Sequence, residues 1–157
     1  MNQGLLHLHN FMRWVVLIMA LLTLVRSFSG MNSRTAFGPG MRKTALFLMI
    51  SVDVQLLIGL ALYFMNGWLQ RLSAGAEVMK DPVQRFFTVE HTLGMLIGLI
   101  LIHVGYSASK KDVPDATKFK RLFWYTLIAL IVILISIPWP FRELLGRPWF
   151  PGMPVSS

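Results

Sequence analysis

The stretch FFTVEHTLGMLIGLILIHVGY (residues 86–106) decides the fold, because it is long and apolar enough to cross a lipid bilayer. Apart from Glu90, His91 and His103 it contains no Asp, Glu, Lys, Arg or His, and a membrane-spanning helix needs about 20 mostly apolar residues. Three further stretches share this character, namely residues 5–25, 44–68 and 122–141. The sequence therefore predicts four membrane-spanning helices.

Composition supports this interpretation. Of the 157 residues 55% are apolar and 14% are charged, whereas a soluble domain carries roughly 25% charged residues. The four spans and their connections use nearly the whole chain, which leaves no room for a separate soluble domain. We expect an all-α, antiparallel four-helix transmembrane bundle that forms a single domain, with a proline-rich tail at residues 142–157.

The net charge of +8 and the absence of cysteine limit the possible functions. Without cysteine the chain has no disulfide, no thiolate metal site and no cysteine nucleophile. In a membrane protein, basic loops that rest against anionic lipid account for the positive charge. We therefore expect the lipid bilayer, and not nucleic acid, as the partner of this charge.

Loop charges predict the orientation in the membrane. The loops at residues 26–43 and 107–121 lie on the same side and hold nine of the fifteen basic residues. The positive-inside rule places such loops in the cytoplasm. The expected location is a bacterial inner membrane, crossed several times, with both termini in the periplasm. The opposite loop, residues 66–85, is long enough for a short interfacial helix.

Ionisable side chains inside the predicted spans are the candidates for function. Such residues are costly in a membrane, so they normally face a bundle interior, a partner or a cavity. The chain has six of them: His9, Arg13, Asp53, Glu90, His91 and His103.

His9 and His91 are predicted to lie at the same depth. Spans one and three run in the same direction, and each histidine lies about one turn from the start of its span. Two imidazoles at matching depth on different helices are what axial ligation of a b-type haem requires. Arg13 shares a helix face with His9, where it would neutralise a haem propionate. Glu90 would pair with Arg13 or support a ligating histidine.

A glycine stripe runs along span three. Gly94, Gly98 and Gly105 fall on one helix face, where they allow close approach of another helix or of a flat cofactor. His103 points away from this stripe and has no matching histidine on span one. The sequence therefore predicts at most one haem, and His103 is expected to be a structural hydrogen bonder.

Asp53 lies in the middle of span two, where a carboxyl group is expected to be protonated or paired. The sequence leaves three roles open for it: a proton relay, a contact to a quinone, and a hydrogen bond to a neighbouring backbone.

Two simpler interpretations also remain open for the other residues. His7, His9 and His91, with Met12 and Met95, offer the imidazole and thioether ligands that suit copper. Alternatively, the buried charges hold the helices together and bind nothing.

Four segments carry a resemblance to a known family: LHLHNFMRW (residues 6–14), QLLIGLALYF (55–64), VEHTLGM (89–95) and SIPWPFR (136–142). In order and spacing they resemble small four-helix membrane proteins of Bacteroidetes-type bacteria that are labelled cytochrome b-like. The resemblance covers most of the chain and points to His9, Arg13, Glu90 and His91. It implies a haem b cofactor. Relatives often have a histidine where this chain has Asp53, and if that histidine binds haem, a haem site here would be altered or lost.

Two functions follow as hypotheses. The first is a membrane b-type cytochrome-like electron-transfer protein or subunit, with one haem near the periplasmic side and a quinone as a possible partner. The alternative is a non-enzymatic accessory or structural subunit of a larger inner-membrane complex, without haem. Both favour association with other membrane subunits or with a second copy over action as a stand-alone enzyme.

Overall fold

The computed structural model describes residues 3–33 and 35–153, which contain helices and no strand. The helices are α1 (Gln3–Met31), α2 (Pro39–Met65), α3 (Trp68–Leu72), α4 (Ala76–Lys80), α5 (Pro82–Arg85), α6 (His91–Ser109) and α7 (Asp115–Ser136). A π-helical turn, Phe86–Glu90, joins α5 to α6. The span Pro82–Ser109, called the composite helix below, is one of four long apolar helices, with α1, α2 and α7, that are able to cross a membrane. The expected all-α class is confirmed.

The helix ends differ from the predicted span limits. The fourth long helix begins at Asp115, seven residues before the predicted span, and ends at Ser136. The residue before a proline is driven out of the helical region, and Ile137, which precedes Pro138, is extended, with ψ of 134°. Residues 137–141, expected to be part of the fourth span, are therefore not helical.

The four long helices form a ring in the order α1, α2, composite helix, α7. Neighbours in this ring pack directly, and the contact between α2 and α6 is the least extensive of the four. The main core lies between the helices and consists of Val16, Ala20, Leu48, Val52, Ile102, Ala129, Ile133 and Ile137. This order places α1 and α6 diagonally across the bundle.

The glycine stripe of α6 packs against α7. A Cβ atom added to Gly98 would lie 2.7 Å from Cγ1 of Ile133, and one added to Gly105 would lie 2.8 Å from Cβ of Tyr125. A Cβ at Gly94 would collide with the Ser136 side chain. Of the two uses predicted for the stripe, close approach of a helix is the one found, and the stripe provides no space for a cofactor.

The outer surface of the bundle is apolar. Ile18, Leu57, Ile100 and Ile135 expose more than half of their surface. Several buried hydroxyl groups donate within their own helices: Thr23 donates to the carbonyl of Met19 and Ser51 to that of Leu48, both at 2.7 Å. This distribution is compatible with a surrounding lipid bilayer.

Candidate functional site

The structure brings His9 and His91 together. His9 lies in the second turn of α1 and His91 is the first residue of α6. Their ring centroids are 6.3 Å apart and the ring planes meet at 71°. The depth argument therefore placed these two side chains correctly, although their helices lie diagonally in the ring.

His91 has one occupied nitrogen and one free nitrogen. Its Nδ1 lies 2.8 Å from the carbonyl oxygen of Ser136, and because a carbonyl only accepts, Nδ1 carries the proton. Within the described residues Nε2 has no hydrogen-bond partner. An imidazole held through Nδ1 in this way presents Nε2 as an electron-pair donor, which is the usual arrangement of a metal-binding histidine.

His9 is held from the α2 side. The Gln55 amide donates to the main-chain carbonyl of His9 at 3.1 Å and lies 3.4 Å from its Nε2. The other ring nitrogen, Nδ1, is buried and has no partner among the described residues. Gly59 makes room for the ring, because an added Cβ there would lie 3.2 Å from Cε1 of His9.

Both histidines line a cavity of about 450 Å³, called the histidine cavity below. Its volume is in the range of small-molecule sites, about 300–1,000 Å³. Side chains from α1, α2, the composite helix and α7 form its walls, which are mainly apolar. It lies at the end of the bundle where α1 begins.

The charged residues of the histidine cavity all have the same sign. Arg13, Arg71 and Arg147 line it, and no Asp or Glu of the described residues does. Burial lowers the pKa of Arg147, which lies outside the long helices, but arginine remains protonated in proteins. The cavity thus combines apolar walls with positive charge and no lining carboxylate among the described residues, an environment that favours an anionic group on an apolar molecule.

The tail folds over this end of the bundle. The Arg13 guanidinium donates to the carbonyl of Trp149 at 2.8 Å and to that of Pro148 at 3.3 Å. Asn10 donates to the same Pro148 carbonyl at 3.1 Å, and the Trp14 indole donates to Trp149 at 2.8 Å. Trp14 also stacks on Phe150 with centroids 5.4 Å apart. Trp14 therefore binds the tail through both its indole N–H and its ring.

The predicted Arg13–Glu90 ion pair is wrong. Arg13 is bound to tail carbonyls, and Glu90 is exposed and pairs with Arg85 at 2.7 Å. The π-helical turn, in which the N–H of His91 bonds to the carbonyl of Phe86 five residues earlier, separates Glu90 from the face that His91 presents. Glu90 does not line the histidine cavity.

Of the other predicted residues, two line the histidine cavity and the rest lie elsewhere in the bundle. Asp53 and His103 form a pair of their own, with Oδ1 and Nε2 3.2 Å apart. His7 and Met95 line the histidine cavity and Met12 does not. In the part of the chain that the structure describes, no group of three His, Asp or Glu side chains is placed to hold a metal ion.

Sequence reasoning missed Arg71, Arg147, Tyr63 and Trp68, which also line the cavity. Arg71 and Arg147 lie outside the predicted spans, so the search for ionisable residues within spans passed over them. Comparison of the chain with protein-family models, with curated proteins and with solved structures finds no match.

Proposed function

We propose that the chain is a membrane b-type cytochrome-like electron-transfer protein or subunit, in which His9 and His91 hold one haem b. The observation that carries this proposal is the pair of imidazoles, 6.3 Å apart, on the wall of one cavity. Each ring has one nitrogen without a hydrogen bond among the described residues.

The ring separation suits one metal atom between two imidazoles. Metal–imidazole bonds are about 2.0–2.1 Å long for zinc, so two such bonds hold the nitrogens about 4 Å apart and the ring centres further. Separation of the centroids by 6.3 Å agrees with this arrangement. Ligation leaves the angle between the ring planes free, which accommodates the observed 71°.

The histidine cavity also suits the propionates and the porphyrin ring of a haem. Arg13, Arg71 and Arg147 supply the positive charge that two propionates require, and guanidinium groups bind carboxylates well. The apolar walls would exclude water from the porphyrin ring. When bound, haem iron supplies one-electron transfer, and the side chains described here hold and orient it.

The proposed orientation places the histidine cavity toward the periplasm. It follows from the positive-inside rule applied to the two basic loops at the other end of the bundle. An inner-membrane protein of this kind would exchange electrons near the periplasmic face, with a quinone or a membrane-bound partner subunit.

Visible spectra of histidine variants test the proposal. His9→Ala and His91→Ala should each remove the haem absorption of protein expressed with ample haem. His103→Ala is the control, because its side chain pairs with Asp53 and does not line the cavity. Retention of the wild-type spectrum in both cavity variants would refute ligation by these residues.

An accessory subunit without haem is the second candidate, and the tail contacts favour it. Arg13, Asn10 and Trp14 are all engaged by Pro148 and Trp149. A cluster of polar residues that closes one end of a bundle needs no ligand. A colourless purified protein would support this candidate over the first.

A further inference from the structure

We infer that the residues after α7 form a surface that inserts into the boundary layer between the lipid head groups and the hydrocarbon. This tail surface consists of four large apolar side chains, which are 72%, 73%, 41% and 51% exposed in the order Phe141, Leu144, Trp149 and Phe150. They lie outside the four long helices. The inference concerns the outside of the molecule, so it does not depend on haem or on the histidine cavity.

The segment directly after α7 folds back against the last turn of that helix. The Trp139 indole donates to the carbonyl of Leu134 at 2.8 Å, and the Arg142 guanidinium donates to that of Ile135 at 3.2 Å. Ile135 is itself 66% exposed on the apolar outside of the bundle. Phe141, which lies between the two anchored residues in the sequence, is therefore close to the end of the apolar outer surface of α7.

The later part of the tail lies against α1. Trp14 of α1 stacks on Phe150 with ring centroids 5.4 Å apart, and its ring centroid lies 6.3 Å from that of Trp149. Trp149 in turn lies 6.4 Å from Phe141, so these rings form one cluster. Ile18, one turn along α1 from Trp14 on the same helix face, is 63% exposed. The tail surface thus continues the apolar outer surfaces of both α1 and α7.

The backbone of residues 137–153 has few unpaired N–H groups, which favours its placement in a layer that contains little water. Four of these residues are proline, which has no N–H group: Pro138, Pro140, Pro148 and Pro151. Six others donate their N–H group to a backbone carbonyl within the segment, namely Trp139, Arg142, Leu145, Gly146, Arg147 and Met153. The segment is therefore a folded turn that satisfies much of its own hydrogen bonding.

The side chains of this turn suit the boundary layer better than water or the hydrocarbon core. Large apolar side chains exposed together mark a surface that binds a membrane or another protein. Arg142 and Glu143 lie between them in the sequence, and their charges would be costly in the hydrocarbon core. Tryptophan is enriched at the membrane–water boundary, because its ring is apolar and its N–H group is polar. The boundary layer accommodates both kinds of side chain.

Electron paramagnetic resonance of spin labels tests the inference, and labelling is specific because the sequence contains no cysteine. Phe141→Cys and Leu144→Cys are labelled one at a time in the full chain and placed in phosphatidylcholine vesicles. Collision rates are measured with oxygen, which dissolves in lipid, and with a water-soluble nickel chelate. Both replaced side chains are mostly exposed, so the substitutions should have little effect on folding.

Three further labelled variants are the controls. Asp112→Cys, in an exposed loop, gives the value for water, and Leu57→Cys, 67% exposed in the middle of α2, gives the value for lipid. Glu143→Cys is the matched control, because Glu143 is exposed in the same turn and carries a charge. The ratio of oxygen to nickel collisions at Phe141 and Leu144 should exceed the ratios at Asp112 and Glu143.

A ratio as low as that of Asp112 at either Phe141 or Leu144 would overturn the inference. The tail surface would then face water in vesicles and be free for a partner subunit. Magnetic broadening between the labels of two chains would also overturn it, because the surface would then be a contact between two copies.

Discussion

Arg13 shows at the scale of a single residue how a buried charge is satisfied without an opposite charge. It is 8% exposed and donates two hydrogen bonds to backbone carbonyls of the tail. The sequence indicated that Arg13 needed a partner, because an unpaired charge in a membrane is costly. It did not indicate which partner, because every residue has a carbonyl group and only the folded tail brings two of them close.

Arg13→Ala should lower the free energy of unfolding by about 1.5–3 kcal/mol, the range for hydrogen bonds to a charged group. Arg85→Ala is the control, since its pair with Glu90 is partly exposed, and such pairs contribute about 0–1 kcal/mol. Denaturant titration in detergent measures both. Equal losses of stability for the two substitutions would show that the hydrogen bonds from Arg13 to the tail contribute no more than an exposed ion pair.

A double-mutant cycle of Arg13→Ala and Glu90→Ala should give additive losses of stability. The two side chains have different partners in the structure, Trp149 and Arg85, and residues without shared contacts couple by less than about 0.5 kcal/mol. A clear coupling energy would restore the ion pair that the sequence suggested.

The depth argument that matched His9 with His91 does not predict the pairing of Asp53 with His103. Asp53 lies nine residues from the start of the predicted span two, and His103 lies three residues from the end of the predicted span three. At about 1.5 Å per residue these depths differ by about 9 Å. The 3.2 Å approach of the two side chains therefore depends on how the two helices pack, which the sequence pattern does not give.

Local backbone geometry limits prediction at the scale of the element. Apolar length predicted the four long helices, because each needs only enough apolar residues to cross a membrane. The π-helical turn Phe86–Glu90 has no such pattern. One wide π-helical turn changes the direction in which the side chains of the preceding residues point. Glu90 lies within this turn and was assigned to the wrong partner, whereas His91 lies after it and was placed next to His9 as predicted.

Gly98→Ala should destabilise the α6–α7 contact. The added methyl group would lie 2.7 Å from Ile133, and overpacking of this kind typically costs about 1–3 kcal/mol. Gly40→Ala, in the first turn of α2, is the control, because its nearest atom is the flexible end of Arg26 at 3.3 Å. Thermal unfolding followed by circular dichroism should show a lower midpoint for the first variant only. A stable Gly98→Ala protein would mean that the helices are less closely packed than described.

The tail determines the shape of the whole molecule at one end. Sequence reasoning treated residues 142–157 as a segment beyond the bundle, since prolines give no periodic pattern. In the structure, Arg147 lines the histidine cavity, and Pro148 and Trp149 bind α1. The tail thus covers the cavity although it lies at the other end of the chain from α1. The periodicity of apolar residues within a helix gives no information about such a long-range contact.

Reporter fusions test the proposed orientation of the whole molecule. A reporter after Ser157 should be active in the periplasm, and one near Pro114 should be active in the cytoplasm, because nine of fifteen basic residues lie in the two loops of that side. The opposite pattern would place the histidine cavity at the cytoplasmic face.

The haem content of purified protein tests the central claim most directly. The claim is that His9 and His91 form one axial pair in one cavity, so protein expressed with ample haem should contain close to one haem b per chain. Extraction and quantification of haem against protein concentration measures this ratio. A ratio near one, with low-spin iron, is the result predicted here. A ratio near zero would contradict the claim and leave the histidines as structural residues of an accessory subunit.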